Sequence, residues 1–494
     1  MVPGDLFSAF SDRCHPAHTN PYSHHRAIPT VQNIVWLSVE SLRYDHTSLC
    51  PVGPDTTPNL ARLADVPDAA SFDRCYAHSN WTRTSIASIL SGLYPASHGV
   101  FSYTDKLSPE RTSVPEVLSE AGYTTYFVGK NSQIGTAVDA AERFDVHLPI
   151  NRETVLRHVP FTGLVKYLLA LGDHGGGLTT DMNRHKPEFL VKETILDRVT
   201  ASDEPVFLFA HFNGTHNPYI PPRNRLRDIA EDLPVSAAEA VEMSETLFDK
   251  DGAKYEKLRR DTGLTDTELD VVTTLYDACV AYVDEILADV VAGLRAELSD
   301  TVFVITGDHG EFFGERGLLS HVLSTHSAGC HVPLVVAGDT ALTEYSGQIQ
   351  HVDVVRTVLA EQGLTRPQFQ GVDLRTERRD HSVVERGADR AETNLERMAA
   401  TEPGYDVDAH HRGHLVAIFT RDFKYERSEN AEGLYRLPDE ETDVSAAYPG
   451  VYRALRVACE DYLRTHHPEE SGTAEADLDA AAKRRLENMG YLVD

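Results

Sequence analysis

Long apolar runs are missing from this 494-residue sequence. A helix that crosses a bilayer needs about 20 consecutive apolar residues, so no membrane span is expected. The first thirty residues, "MVPGDLFSAFSDRCHPAHTNPYSHHRAIPT", have neither a basic start nor an apolar centre, so they do not read as a secretory leader. Cysteine is sparse, and Cys14, Cys50, Cys75, Cys279, Cys330 and Cys459 show no CxxC or other metal-ligand spacing. They fit buried thiols in a reducing compartment, which points to the cytoplasm rather than to a disulfide framework. Positive charge is also short: 46 Lys and Arg face 76 Asp and Glu, a formal net charge of −30. Such a surface repels phosphate backbones and argues against nucleic acid as a partner. It matches a halophilic protein kept soluble where high ionic strength screens self-repulsion. Composition is silent on oligomeric state.

What is present is an alternation of short apolar runs with segments of helical period. "IVWLSV" (35–40), "TTYFVG" (124–129), "PVFLFAHF" (205–212), "TVFVIT" (301–306) and "VPLVVAG" (332–338) are nearly continuous in apolar character. Strands covered on both faces have that composition. Between them lie "TPNLARLA", "SVPEVLSEAG" and a long helix expected from Thr265, with Glu268 in capping-box spacing, to about residue 297. The order implies an α/β fold with a large, mostly parallel sheet between helices. Residues 150–200 and 217–262 are polar and read as irregular insertions over one sheet edge. After residue 370 the pattern changes: "HSVVERG" reads as one strand among loops. "HLVAIFTRDFKYERSENAEGLYRL" then alternates as antiparallel strands do, with helices expected over 448–465 and 474–489. The expected organisation is an N-terminal extension (1–31), a catalytic domain (32–370) and a C-terminal subdomain (371–494).

Three stretches carry chemistry. "NIVWLSVESLRYDH" ends a buried strand on Glu40, with Arg43, Asp45 and His46 close behind. "HSNWTRTSIASILSGLYP" opens a short helix on hydroxyls, with Thr82, Thr84 and Ser85 at an end whose free N–H groups suit an anion. "VFVITGDHGEFFGERGLLSH" delivers Asp308 and His309 at a strand's carboxyl end, where open α/β sheets bind ligands. Carboxylate oxygen beside imidazole nitrogen suits zinc or manganese better than calcium or magnesium, though all four remain open. Combined, Glu40, Asp308 and His309 would hold a divalent metal, and Thr82 would become a usable nucleophile beside it.

Five ordered blocks, from "NIVWLSVESLRYDH" to "DTVFVITGDHGEFFGERGLLSHVLSTHSAGCHVPLVV", resemble the sulfatase family of the alkaline phosphatase superfamily. The resemblance implies an alkaline-phosphatase-like fold with a small C-terminal antiparallel sheet plus helix. Sulfatases carry Cys or Ser within C/S-x-P-x-R for conversion to formylglycine; here Thr82-Arg83-Thr84-Ser85-Ile86 fills that slot. The set Glu40, Thr82, Asp308 and His309 is instead similar to the Thr-nucleophile phosphoethanolamine transferases and lipoteichoic acid synthases. It implies phosphate-ester hydrolysis or transfer through Thr82, with His216, His321 and Lys130 around the transferred group. Arg43, Asp45, His46 and His326 would brace the site. Asn131 and Ser132 stand where relatives carry a His after that Lys. The implied substrate is a small-molecule, glycan or lipid-head-group ester. Two rival readings are a sulfuric ester hydrolase without formylglycine and a catalytically degenerate protein that binds anions or glycans.

Overall fold

The computed structural model describes residues 31–177, 184–248, 264–401, 405–466 and 473–475. Seven strands form the central sheet: β1 (Asn33–Val39), β2 (Ala69–Tyr76), β4 (Thr124–Gly129), β5 (Val146–Pro149), β6 (Val206–Phe212), β7 (Thr301–Gly307) and β8 (His331–Ala337). The short β3 (Asp105–Leu107) lies apart and pairs with β13 (Thr473–Glu475). The order across the sheet is β2-β8-β7-β1-β6-β4-β5. Strands β7, β1, β6, β4 and β5 run parallel, while β8 is antiparallel to β7 and β2 to β8. All five strands expected from apolar runs are there. The other two, β2 and β5, had no such signal: β2 exposes Ser71 and Asp73, and β5 is a four-residue edge.

Alternation of side chains builds two cores, one on each face. Val35, Leu37 and Val39 of β1 face a layer made by the helices Asp266–Glu297 and Glu188–Arg198. Ile34 and Trp36 face the helices Thr82–Ser91, Val114–Glu120 and His351–Glu361. The Asp266–Glu297 helix starts at the expected Thr265/Glu268 capping box.

Residues 150–200 depart from expectation, being largely helical rather than irregular. Helix Glu188–Arg198 belongs to the core layer, although Glu188, Lys192 and Glu193 are among its buried residues. Lys192 is within 2.8 Å of Asp289 and Glu193 accepts from Lys166, so these two buried charges are paired, while Glu188 keeps a buried oxygen without a hydrogen-bond partner. In 217–262 the described part holds helices Arg223–Asp228 and Ala237–Leu247. The C-terminal sheet is β9 (Ser382–Arg386), β10 (Leu415–Phe419), β11 (Phe423–Arg427) and β12 (Glu432–Arg436), all antiparallel. Helix Pro449–Thr465 packs Leu455, Cys459 and Tyr462 against it. Helix Ala388–Thr401, unexpected among the loops of 371–412, follows β9. The last expected helix falls beyond Glu475, outside the described residues; 474–475 belong to β13 instead.

Four adjacent parallel strands end at one edge. From β7, β1, β6 and β4 the chain emerges on Asp308, Glu40, Asn213 and Lys130, and this edge carries the candidate site.

Candidate active site

Glu40, Asp308 and His309 converge, their ligand atoms lying within 4.8 Å of one another. Nε2 of His309 is 3.4 Å from Glu40 Oε1 and 3.6 Å from Asp308 Oδ2. Thr82, the first residue of helix Thr82–Ser91, donates its hydroxyl to Glu40 Oε1 at 2.5 Å and sits 3.0 Å from His309 Nε2. All four are buried, Thr82 at 3% exposure being the most accessible.

Each group is aimed by its neighbours. Glu40 Oε2 accepts from Asn131 Nδ2 at 2.8 Å, His211 Nε2 at 2.9 Å and Asn213 Nδ2 at 3.0 Å, which leaves Oε1 for Thr82. Asp308 Oδ1 accepts from the Ser41 and His309 backbone N–H groups at 2.9 and 2.8 Å. Its Oδ2 is buried and has no hydrogen-bond partner. The Gly310 carbonyl lies 2.7 Å from His309 Nδ1; a carbonyl only accepts, so Nδ1 carries a hydrogen, and Nε2 is the ring nitrogen turned toward Glu40, Asp308 and Thr82.

Electrostatics follow from this geometry. Burial alone would raise the Glu40 carboxyl, but hydrogen bonds from His211 and His309 hold it well below the usual carboxylate range. Burial raises Asp308, and the Glu40 charge adds to that rise. Burial works against a charged His309, yet the Asp308 and Glu40 carboxylates lift it to about 9. The pocket therefore calls for positive charge at His309 Nε2. An orphaned buried carboxylate oxygen, a second carboxylate oxygen, an oriented imidazole nitrogen and a hydroxyl form a donor set that fits a divalent metal.

Beyond these four, three imidazoles stand in a row. The His309 and His321 rings are 4.6 Å apart, and those of His321 and His216 5.8 Å. His321 Nδ1 lies 3.2 Å from Glu311 Oε1, and His216 Nδ1 is 2.5 Å from the Asn217 carbonyl. Burial lowers His321 to about 3, so it is a neutral imidazole. Burial would raise Glu311, but His321 brings it down to about 2. Glu311 also accepts from Asn217 and Tyr219. Lys130 is exposed beside Asn131, within electrostatic reach of Glu188 and Lys186.

Other sequence candidates lie outside the cluster. Thr84 Oγ1 donates to the Val100 carbonyl and Ser85 Oγ to that of Ser79, so both hydroxyls serve the helix's packing. Arg43 pairs with Asp45 and Glu315 and donates to the Glu311 carbonyl, bracing the loop after β7. His46 pairs with Asp277 at 2.6 Å, and His326 caps the short helix Ser327–Cys330.

Sequence reasoning missed His211, Asn213, Glu311 and Arg390. His211 hides inside the apolar run of β6, where a lone imidazole reads as core. Arg390, on helix Ala388–Thr401, lies over the Trp81 ring at 4.7 Å and acts electrostatically on His321. Its Nε is buried without a hydrogen-bond partner, leaving that N–H available to an anion.

A family model described as Sulfatase matches residues 32–363. The chain is 25% identical over 372 residues to the choline-sulfatase of Rhizobium meliloti, covering 69% of this chain and 70% of that protein. It is 22% identical over 344 residues to the uncharacterized sulfatase YidJ of Escherichia coli, covering 64% of this chain and 65%, just under two thirds, of the relative. Among solved structures, the phosphonate monoester hydrolase of Agrobacterium radiobacter superimposes with a TM-score of 0.66 at 20% identity, over 90% of this chain and 99% of the other. BT1596, a 2-O GAG sulfatase, gives 0.63 at 16% identity, over 88% and 93%. With the fold, the ordered motifs and a family match over most of its length, the chain belongs to the sulfatase family of the alkaline phosphatase superfamily, a family of ester hydrolases.

Proposed function

We propose that the chain is a metal-dependent hydrolase or transferase of phosphate esters in which Thr82 is the nucleophile. The observation that carries this reading is the Thr82 hydroxyl standing among Glu40, Asp308 and His309, 2.5 Å from Oε1 and 3.0 Å from Nε2. A divalent cation held by Glu40, Asp308, His309 and Thr82, with zinc or manganese favoured by the imidazole ligand, would lower the hydroxyl's pKa and offset the charge of the attacked group. Thr82 Oγ1 then attacks phosphorus: the Oγ1–P bond forms, the bond to the leaving oxygen breaks, and the hydroxyl proton goes to solvent. His216 hands a proton to the departing alkoxide from Nε2. His321 is neutral and its Nδ1 faces Glu311, so Nε2 can take the proton of the water or alcohol that attacks phosphorus next and frees Thr82. Arg390 and Lys130 supply cations for the outer oxygens and the substrate's own anionic parts.

Thr82→Ala tests this directly. Turnover of aryl phosphate mono- and diesters is expected to fall by about a thousandfold or more, with the fold and a metal content of about one ion per chain retained. Activity that survives the change assigns the attack to another oxygen and removes the proposal. Aryl sulfate assayed in parallel is expected to turn over more slowly; the opposite order favours a sulfatase that works without formylglycine. A ligand that raises Tm while no ester turns over favours the anion-binding reading.

A further inference from the structure

Nine large apolar side chains are exposed among the described residues, and five of them lie between Leu156 and Leu169. Leu156 is 83% exposed, Phe161 79%, Val165 39%, Leu168 65% and Leu169 84%. Helix Phe161–Leu169 is turned the wrong way round for a globular protein, since the residues it buries are Gly163 and Tyr167. Gly163 lies so close to the helix Glu188–Arg198 that a Cβ there would stand 2.9 Å from the Glu193 Cβ. At about 100° per residue, Phe161, Val165, Leu168 and Leu169 share one outward stripe roughly 100° wide. A contiguous apolar face of this kind on a soluble body marks an interaction surface.

Charge identifies the partner. Residues 151–170, "NRETVLRHVPFTGLVKYLLA", hold Arg152 and Arg157 against Glu153 once Lys166 is set aside with its partner Glu193, a net of 2 − 1 = +1 in a chain of −30. Arg152 and Arg157 are exposed. Two copies meeting on this face would set these cations against one another, whereas an anionic lipid surface complements both the apolar stripe and its basic flank. A nine-residue helix is too short to span a bilayer, so the contact is peripheral.

The face is also mechanically joined to the wall of the site. Tyr167 hydrogen-bonds His185 at 2.9 Å, and the adjacent Lys186 lies 3.5 Å from the Gly214 carbonyl, two residues before His216.

We propose that Leu156, Phe161, Val165, Leu168 and Leu169 seat on an anionic lipid surface, with Arg152 and Arg157 against lipid phosphates. The experiment is co-sedimentation of the full chain with vesicles of phosphatidylcholine, with and without phosphatidylglycerol, beside the double variant Leu168→Ser/Leu169→Ser. Wild type is expected to pellet with the mixed vesicles, and the variant to bind about tenfold more weakly or less, with unchanged Tm and unchanged turnover of a soluble aryl phosphate. The single variant Arg157→Glu, which leaves the apolar stripe alone, is expected to weaken binding to the mixed vesicles and not to the neutral ones. Wild type that stays in solution at every lipid concentration overturns the proposal. So does wild type that is a dimer by light scattering and becomes a monomer on the double substitution, since the face would then belong to a second copy.

Discussion

Glu40 can do its work only in one orientation. Its Oε2 is held by three donors, from Asn131, His211 and Asn213, and its carbonyl accepts from Thr215, so Oε1 has little freedom except toward Thr82. Removing one donor leaves Glu40 buried and charged but less fixed. Groups that orient a metal ligand typically contribute 10- to 100-fold to affinity or activity. Asn213→Ala is therefore expected to lower kcat by about tenfold, with KM changed less than twofold and metal affinity weakened. Wild-type kinetics in this variant would show that Glu40 needs no such support. The four central side chains were legible in the sequence because each ends a strand or opens a helix beside a recognisable block. The supporting shell was not. Asn213 is an ordinary loop residue until β6 is known to lie beside β1, and only that adjacency brings it to Glu40.

At the scale of elements, two loops are fastened together to assemble the site. Gly310 N–H donates to the Gly329 carbonyl at 2.9 Å and Glu311 N–H to that of Ala328 at 2.9 Å, so the turn after β7 lies flat against residues 328–329. The loop between them carries His321. Gly310 permits that approach, because a Cβ there would collide with the Ala328 backbone. Gly310→Ala is thus expected to cost about 3 kcal/mol or more of stability and to separate His309 from His321. Chemical denaturation checks the first effect; a variant as stable as wild type would mean that the two loops move apart freely. The same loop is also held from the C-terminal part of the chain: Arg316 pairs with Glu426 of β11 at 2.9 Å, and Ser327 N–H donates to Glu440, just beyond β12. Pattern alone read elements well where one face is apolar, as in the helix Asp266–Glu297. It failed for helix Glu188–Arg198, where Lys192 and Glu193 are buried against charge partners distant in sequence.

For the whole molecule the governing quantity is a charge of −30 on one chain. Much of the opposing order is internal and insensitive to salt. Lys424 is buried with Glu426 at 2.7 Å and Glu440 at 3.0 Å, and Arg379 pairs with the fully buried Asp353. Exposed carboxylates repel one another over distances that salt controls, the screening length falling from ~10 Å at ~0.1 M to ~3 Å at ~1 M. Raising salt should therefore remove the destabilising long-range term while the buried pairs persist. Tm is expected to climb steeply between about 0.05 M and about 1 M potassium chloride and more gently above, once screening is nearly complete. Equal osmolality supplied as sucrose separates the causes: preferential exclusion stabilises in both solutions, whereas screening acts only in the salt. A Tm that is flat in chloride, or that rises equally in sucrose, would mean that the surplus of carboxylates does not strain the fold at low salt.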